Sequence, residues 1–293
     1  MQIDHVAYAW ADLDAVVDEF ERVGFSPEYG GVHATGTTHM SLVALPDGSY
    51  LELLSTTPGT DPVDAGFWPD HVAASGGPAA WCIAVDDVRA WAKQCIDAGL
   101  PIDGPTTAGR ERDDGRRVEW DMVFVGRESE RELHPFAIND RTPRAFRVPA
   151  VEDDIASPRG AVTGVAEVVL AVSNLDYTAD TFRRSYRFPT PTRWTDETLE
   201  AKLASFPGKP VTLAEPRGSE SWLGDRLADV GPGPCAYLLG SDDLDAASDY
   251  YELSSPTVWG APETGAGTDT RRLAWLDSEL LGTTVGVVAA STH

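Results

Sequence analysis

The stretch IDHVAYAWADLDAVVDEF, residues 3–20, occurs twice in this chain of 293 residues, and its second copy is VAEVVLAVSNLDYTADTF at residues 165–182. Six of the eighteen positions are identical between the copies. Each copy begins with an apolar run typical of a strand and continues with apolar residues at helical spacing. His5 of the first copy is replaced by Glu167 in the second. The repetition predicts one architecture built more than once, with different side chains in each copy.

The first copy opens a longer β-α-β-β-β unit. Asp12 is expected to cap the helix, and Gly24 lies where a helix-ending glycine belongs. A Pro-Asp-Gly turn predicts that the last two strands form a hairpin. The predicted strands are residues 3–10, 28–32, 39–45 and 50–54, and the predicted helix is residues 12–22.

The same unit recurs at three later points of the chain. A shift of 75 residues aligns the apolar positions of residues 88–100 with those of residues 13–25. A third unit begins at Val165, and a fourth, weaker unit begins at Cys235. We therefore predict two domains of two units each, at residues 1–146 and 161–293. A polar, proline-bearing linker is predicted at residues 147–160.

These segments resemble the vicinal oxygen chelate superfamily, and within it the glyoxalase-like domain proteins. The resemblance rests on the segments IDHVAYAWADLDAVVDEFERVGF, GGVHATGTTHMSLVAL, GSYLELL and HPFAI. It implies an α+β fold in which tandem βαβββ modules pair into curved, cup-shaped mixed sheets. It also implies a divalent metal (Fe, Mn, Ni or Zn) inside the cup, held by side chains from the first and last strands of each unit.

Carried over to this sequence, the resemblance assigns the first two ligand positions to His5 and Glu52. In the second unit the matching positions hold Ala80, which cannot bind a metal, and Asn139, a weak neutral ligand. Two of the four standard ligands are therefore present. In the second domain the residues at the matching ligand positions are Glu167, Ala236, Leu213 or its neighbours, and Val285. That domain is therefore expected to be a degenerate copy without a metal.

Other histidines could complete the first site. His39 lies on a predicted strand beside that of Glu52, and His134 opens the last strand of the second unit. A set of His5, His39 and Glu52 would form the two-histidine, one-carboxylate face associated with non-haem iron. His5 and Glu52 are also the candidates for proton transfer. The alternative for each histidine is a buried structural imidazole, or, for His33, a solvated loop residue.

A predicted hairpin at residues 109–122 concentrates arginine in an otherwise acidic chain. Arg110 and Arg112 are candidates for binding an anionic substrate at the mouth of the cup, because guanidinium groups suit carboxylates. Trp120 on the same hairpin could form a wall of the cup. The alternatives are cross-strand pairing of the arginines with acidic neighbours and packing of Trp120 in the core.

The composition limits the partners of the protein. Forty-seven acidic residues oppose 23 basic ones, a formal net charge of −24, and such a surface repels nucleic acids and anionic membranes. Dispersed acid with three lysines resembles the proteins of salt-accumulating halophiles. Three cysteines without metal-site spacing, and no apolar run long enough to span a bilayer, predict a cytoplasmic protein. We expect a small-molecule ligand, and a homodimer is compatible with the sequence.

Two functions from different classes remain open at this point. The first is an enzyme that acts on a small oxygen-bearing organic molecule with divalent-metal assistance, by isomerase, lyase or dioxygenase chemistry. The second is a metal-free protein of the same fold that binds or sequesters a small molecule. The ligand positions occupied by Ala80 and Asn139 favour the second function, whereas His5 and Glu52 favour the first.

Overall fold

Two mixed eight-stranded sheets form the protein in a computed structural model, which describes residues 1–112, 114–149, 151, 161–261 and 270–290. Each sheet is the pair of βαβββ units that the repeat predicts. The predicted α+β fold with two glyoxalase-like domains is therefore confirmed. Most of the predicted linker, residues 152–160, lies outside the described residues, and the exact domain bounds stay a prediction.

The first domain contains the strands β1 to β8 and the helices α1 to α3. Its strand order is β2-β3-β4-β1-β5-β8-β7-β6, so that the first strands of the two units lie side by side at the centre. The bounds are β1 Gln2–Ala9, α1 Leu13–Arg22, β2 Glu28–Val32, β3 Thr38–Ala44, β4 Tyr50–Thr56, α2 Pro69–Ala74, β5 Gly77–Ala84, α3 Val88–Asp97, β6 Ile102–Glu111, β7 Arg117–Val125 and β8 Phe136–Asp140.

The second domain repeats this order as β10-β11-β12-β9-β13-β16-β15-β14. Its bounds are β9 Val162–Ala171, α4 Leu175–Tyr186, β10 Thr192–Asp196, β11 Ala201–Ser205, β12 Val211–Pro216, α5 Trp222–Val230, β13 Gly233–Ser241, α6 Leu244–Ala247, β14 Thr257–Trp259, β15 Arg271–Trp275 and β16 Val285–Ala289.

The local signals at helix α1 act as the sequence predicts. The Asp12 side chain accepts hydrogen bonds from two backbone N–H groups of the first turn, and the apolar side of the helix is buried. Gly24 follows the helix at φ 106°, where a side chain would be strained. A Cβ at this position would also lie 2.0 Å from the backbone oxygen of Tyr250, so this glycine permits close approach of the second domain.

Strand alternation divides the side chains of β1 between two environments. Val6 and Tyr8 belong to a hydrophobic core that includes residues of both domains, and Ala7 and Ala9 face the cup of the first domain. The Tyr237 hydroxyl donates hydrogen bonds to the backbone oxygens of Ala7 and Ala80, at 2.7 and 2.8 Å. The two domains are therefore joined by a shared core on the side away from the cup.

None of the described helices has the length and apolar character needed to span a membrane. The three cysteines are buried and form no disulfide.

Candidate functional site

The concave face of the first sheet forms a pocket lined by both halves of the first domain. Ala7 and Ala9 of β1 face this cup, and aromatic rings from the segment before α2 and from β7 and β8 supply much of the wall. The polar side chains of the pocket include those of His5, His33, Glu52, Arg110 and Arg147. Its apolar wall includes Met40, Leu42, Phe67, Trp68, Trp120, Met122, Phe124, Phe136 and Ile138.

A β-bulge at the start of β1 places Asp4 and His5 side by side. The pairing with β5 skips Asp4 between Ile3 and His5, and this irregularity lets the Asp4 carboxylate reach the ring of its neighbour. The distance from His5 Nδ1 to Asp4 Oδ1 is 2.7 Å. The His5 ring also stacks on Tyr50, with ring centres 4.6 Å apart. These contacts fix the ring and leave its Nε2 atom facing Glu52.

Glu52 lies on β4, directly opposite Ala7 of β1. It is 8% exposed, and its two carboxylate oxygens face two histidines. His33 Nε2 is 3.1 Å from Oε1, and His5 Nε2 is 3.8 Å from Oε2. Burial alone would raise the pKa of Glu52, but the hydrogen bond and charge of His33, with the charges of His5 and Arg110, lower it to about 2. Glu52 is therefore ionised at neutral pH.

His33, for which the sequence leaves open a pocket role or a solvated loop position, lines the pocket. It follows β2, and its backbone N–H donates to the Thr38 oxygen at 2.9 Å, so it continues the β2–β3 ladder. Its Nδ1 atom is 2.8 Å from Thr38 Oγ1, which leaves Nε2 for Glu52. Residues opposite each other in a ladder share a face, so pairing with Thr38 is the signal that could have placed His33 in the cup.

A buried ion network supports His5 from behind. Arg147 is 5% exposed and donates to Asp4 Oδ1 at 2.9 Å, to Asp140 Oδ1 at 2.8 Å and to the Tyr50 hydroxyl at 2.8 Å. Arg144 forms a second ion pair with Asp4. Burial opposes the charge of Asp4, but His5 and Arg147 hold the pKa of that carboxyl well below its usual range. Arg147, at the start of the predicted linker, is thus part of the site.

The arginine hairpin contributes one of its two predicted residues to the pocket. Arg110 on β6 and Trp120 on β7 both line the cup. Arg112 does not line it. Its guanidinium donates to the backbone oxygen of Phe146 at 2.7 Å and lies 3.5 Å from the carboxylate of Asp114. The prediction for Arg112 is corrected, because the strand ends one residue before it and the chain turns outward.

His39 and His134, the other predicted metal ligands, lie away from the pocket. His39 is opposite Ser55, whereas Met40 and Leu42 of the same strand line the cup, so alternation places His39 on the outer face. His134 is buried between the domains, with Nδ1 2.9 Å from the Tyr186 hydroxyl, and burial lowers its pKa to about 4. The structure therefore does not bring His39 or His134 together with His5 and Glu52, whereas it does place His33 beside Glu52.

The second unit offers no ligand at the matching strand positions. Ala7 and Glu52 face each other across β1 and β4, and the corresponding pair across β5 and β8 is Cys82 and Phe136. Phe136, rather than Asn139, therefore occupies the position that matches Glu52. Its ring contacts His5 edge-on, with ring centres 5.3 Å apart. Asn139 points to the other face and donates to the Val85 oxygen at 3.0 Å.

A second cluster of metal-capable atoms lies deeper in the sheet. Ligand atoms of Asp4, His5 and Cys82 are within 4.8 Å of one another. Asp4 is already bound by two arginines, and burial raises the pKa of the Cys82 thiol well above its usual value. His5, His33 and Glu52 line the cup instead, where His33 Nε2 lies 3.1 Å and His5 Nε2 3.8 Å from the Glu52 carboxylate.

Comparison with known proteins agrees with this architecture. The sequence model of the family described as glyoxalase-like domain matches residues 3–186, which is more than half of the chain. The chain belongs to the glyoxalase-like domain family. The match covers the first domain together with β9 and α4 of the second. No curated protein matches the chain.

Several solved structures are similar to this family member over its whole length. A hypothetical protein from Staphylococcus aureus has a TM-score of 0.61 at 12% identity and covers 99% of both chains. A triple mutant of 4-hydroxymandelate synthase from Streptomyces coelicolor has a TM-score of 0.58 at 16% identity, covering 98% of this chain and 91% of its own. The Mn(II)-bound glyoxalase from Novosphingobium aromaticivorans has a TM-score of 0.56 at 12% identity, covering 99% and 82%. At these identities the similarity concerns the fold.

Proposed function

We propose that the first domain is the active domain of a glyoxalase-like enzyme that acts on a small oxygen-bearing organic molecule. The observation that carries the proposal is the convergence of His5, His33 and Glu52 in an aromatic cup. Catalytic sites are the places where charged groups are buried beside apolar walls and held by further partners. Here Asp4 holds His5, and His5 and His33 hold Glu52 in its ionised form.

The donor types of the cup suit a divalent metal, and their atoms would have to move closer together to bind one, because the described group whose ligand atoms all lie within 4.8 Å of one another is Asp4, His5 and Cys82. Two imidazole nitrogens and one carboxylate are ligands that Fe, Mn, Ni and Zn accept, and His5, His33 and Glu52 would hold the ion. A carboxylate that orients a ligating histidine through its other nitrogen is common in metal sites, and Asp4 does this for His5. When bound, the metal would polarise the oxygen atoms of the substrate.

The protein's own groups would position the substrate and move a proton. Asp4 accepts the Nδ1 proton of His5, so that Nε2 is the free nitrogen toward the cup. Ionised Glu52 can accept a proton from a carbon or hydroxyl of the substrate. Trp68, Trp120 and Phe136 would keep water away from the reacting atoms, which strengthens the charge interactions inside the cup.

Metal analysis of protein purified without a histidine tag tests the proposal. We expect about one equivalent of a divalent transition metal per chain in the wild type, with His5→Ala and Glu52→Gln each losing most of it. His39→Ala is the matched control, because this histidine lies on the outer face of the neighbouring strand. Loss of metal from His39→Ala, or full metal content in both site variants, would contradict the assignment of the ligands.

A metal-free binding protein is the second candidate, and a specific observation favours it. Ala80 and Phe136 occupy the two ligand positions of the second unit, and Glu52 already has a hydrogen-bond partner in His33. In that case the purified wild type would contain no transition metal and would bind its ligand equally well with and without a chelator. Chelator-sensitive binding would favour the enzyme.

A further inference from the structure

Arg110 differs from the other arginines of its hairpin. Arg112 and Arg116 lie within 4.0 Å of Asp114, and Arg117 pairs with Glu119. Arg110 is 9% exposed and, among the described residues, has no carboxylate within that distance. Its recorded hydrogen bond is donated by Nη2 to the backbone oxygen of Arg147 at 3.2 Å. A buried guanidinium with five N–H donors is therefore left with most of its donors for another partner.

Arg147 lines the same pocket but, unlike Arg110, has carboxylate partners. Arg147 binds Asp4 and Asp140, so its charge is neutralised within the protein. Arg110 interacts with Glu52 through space, but Glu52 accepts its hydrogen bond from His33. Burying a charge without a partner is costly, so an anionic group of a ligand that paired with Arg110 would offset that cost.

Arg110 also extends across the mouth of the cup. Its Nη1 atom lies 3.5 Å from the place where a Cβ on Gly31 of β2 would be, an ordinary contact distance, so the guanidinium reaches from β6 to the strand at the opposite edge of the sheet. The guanidinium lies beside an apolar wall that includes Trp120 and Phe136. The pocket thus contains the guanidinium of Arg110 beside a surface that favours the apolar part of a ligand.

We propose that the ligand of this pocket is an organic acid with an apolar body, whose carboxylate pairs with Arg110 and whose body packs against Trp120 and Phe136. The inference rests on the proposed function, because it names the substrate class of the same site. An acid bound in this way presents the carbon next to its carboxylate toward Glu52 and His5. Arg110 is then the residue that selects acids over neutral analogues.

Binding of phenylacetate and its neutral isostere phenylacetamide tests the inference, with the fluorescence of Trp68 and Trp120 as the signal. At molar KCl we expect the wild type to bind the acid about tenfold more tightly than the amide, as a charge-assisted hydrogen bond would give. Arg110→Gln should remove this preference, so that the acid and the amide bind with similar affinity. Arg110→Lys, which keeps the charge without the planar fork, should retain part of it.

Arg112→Gln is the matched control, because it removes the same chemical group from a place outside the pocket. It should bind both probes like the wild type. Equal binding of acid and amide by the wild type would overturn the inference, as would an unchanged preference in Arg110→Gln. Failure of the wild type to bind either probe at about 10 mM, an affinity weaker than about 3 kcal/mol, would overturn it as well.

The metal assay separates this inference from the proposed function. Arg110→Gln should keep the wild-type metal content while it loses the preference for the acid. A wild type that contains no metal but prefers the acid through Arg110 would contradict the proposed metal-assisted enzyme and support the organic-acid ligand. A wild type that contains metal but binds acid and amide equally would support the enzyme and contradict the organic-acid ligand.

Discussion

The cups of the two domains share their strand order but differ in what fills them. In the first cup, His5 and Glu52 face a pocket with aromatic walls. Glu167 and Thr212 occupy the matching strand positions of the second cup, and they are hydrogen-bonded to each other at 2.5 Å. The residues around them form a hydrophobic cluster: Leu199, Leu203, Leu223, Leu238, Trp259, Leu273 and Trp275.

Each cup buries one carboxylate at its centre, and the partners of that carboxylate decide its use. Glu167 forms an ion pair with Arg271 and accepts a hydrogen bond from the indole of Trp259 at 3.2 Å. These partners donate to Glu167 and cannot bind a metal. Glu52 is held by two histidines, whose nitrogens can bind metals and transfer protons. The central carboxylate thus serves packing in one domain and offers chemistry in the other, and the two carboxylates come from different strands, because Glu167 matches His5 and Thr212 matches Glu52.

The largest expected effect comes from removing the carboxylate of the second cup. Glu167→Ala leaves Arg271 without its charged partner beside a hydrophobic cluster, so the free energy of unfolding should fall by about 3 kcal/mol or more. Denaturant unfolding at molar salt measures this change. Asp245→Ala, which breaks an exposed pair with Arg272, should leave the midpoint nearly unchanged. Similar midpoints for both variants would mean that the Glu167 pair does not stabilise the second cup.

Replacing each of the two carboxylates by an amide should also affect the metal content differently. Glu167→Gln keeps the size of the side chain, lies outside the first cup and should leave the metal content at the wild-type level. Glu52→Gln is the matched change in the first cup and should lower it. Equal loss in both variants would contradict the distinction between a packing carboxylate and a site carboxylate. The measurement is elemental analysis of both proteins after identical purification.

Acid should destabilise the protein before the carboxylates of the first cup are protonated. Burial lowers the pKa of His134 to about 4, and burial with the nearby charge of Arg226 lowers that of His71 to about 3. Both histidines are neutral when folded and gain a proton on unfolding below pH 6.5. Their contribution to stability is therefore complete above pH 6.5 and is lost as the pH falls. Glu52, with its pKa lowered to about 2, adds a further loss only below pH 4.5.

His134 alone should account for about 3 kcal/mol between pH 6.5 and pH 4, because burial lowers its pKa from 6.5 to about 4. Denaturant unfolding across this range measures the slope. His134→Gln should lose less stability over the same range, because glutamine does not titrate. A variant with the wild-type slope would show that His134 is not the group responsible.

Salt should stabilise both domains, because the net charge of −24 is spread along the whole chain. The Debye length is about 3 Å at molar salt and about 10 Å at 0.1 M, so dilution exposes acidic groups to one another. We expect the melting temperature to fall as salt is diluted across this range, and NaCl and KCl to act alike. A melting temperature that stays constant would contradict the halophilic interpretation. A fall that sucrose prevents equally well would assign the effect to something other than charge screening.

The alternation of side chains explains which parts of the site could be predicted from the sequence. The repeat spacing predicts the two domains, and parity along β1 and β4 places His5 and Glu52 on one face, where their nearest atoms are 3.8 Å apart. His39 was misplaced because its strand register was unknown, and Leu42, not His39, is opposite Glu52. Asp4 escaped prediction because a β-bulge breaks the alternation that parity assumes.

Arg147 and His33 could not be found by parity for a different reason. Neither belongs to a described strand: His33 continues the β2–β3 ladder just beyond β2, and Arg147 reaches the cup through contacts with distant parts of the chain. Arg147 joins β1 only through the tertiary ion pair with Asp4, 143 residues away. No local pattern encodes such a contact, and composition favoured a linker at that point. The residues that orient the site were thus harder to predict than those that form its floor.

The smallest effect is expected from cutting the chain between the two domains. The polar, proline-bearing composition of residues 147–160 predicts that limited proteolysis cleaves there first. Arg147 and Val148 are buried against the first domain, so we expect the cut after Pro149. The nicked halves should stay together in size-exclusion chromatography, because one hydrophobic core includes residues of both domains and Tyr237 donates to two backbone oxygens of the first. Halves that separate without denaturant would mean that the linker, rather than this core, holds the two cups in one protein.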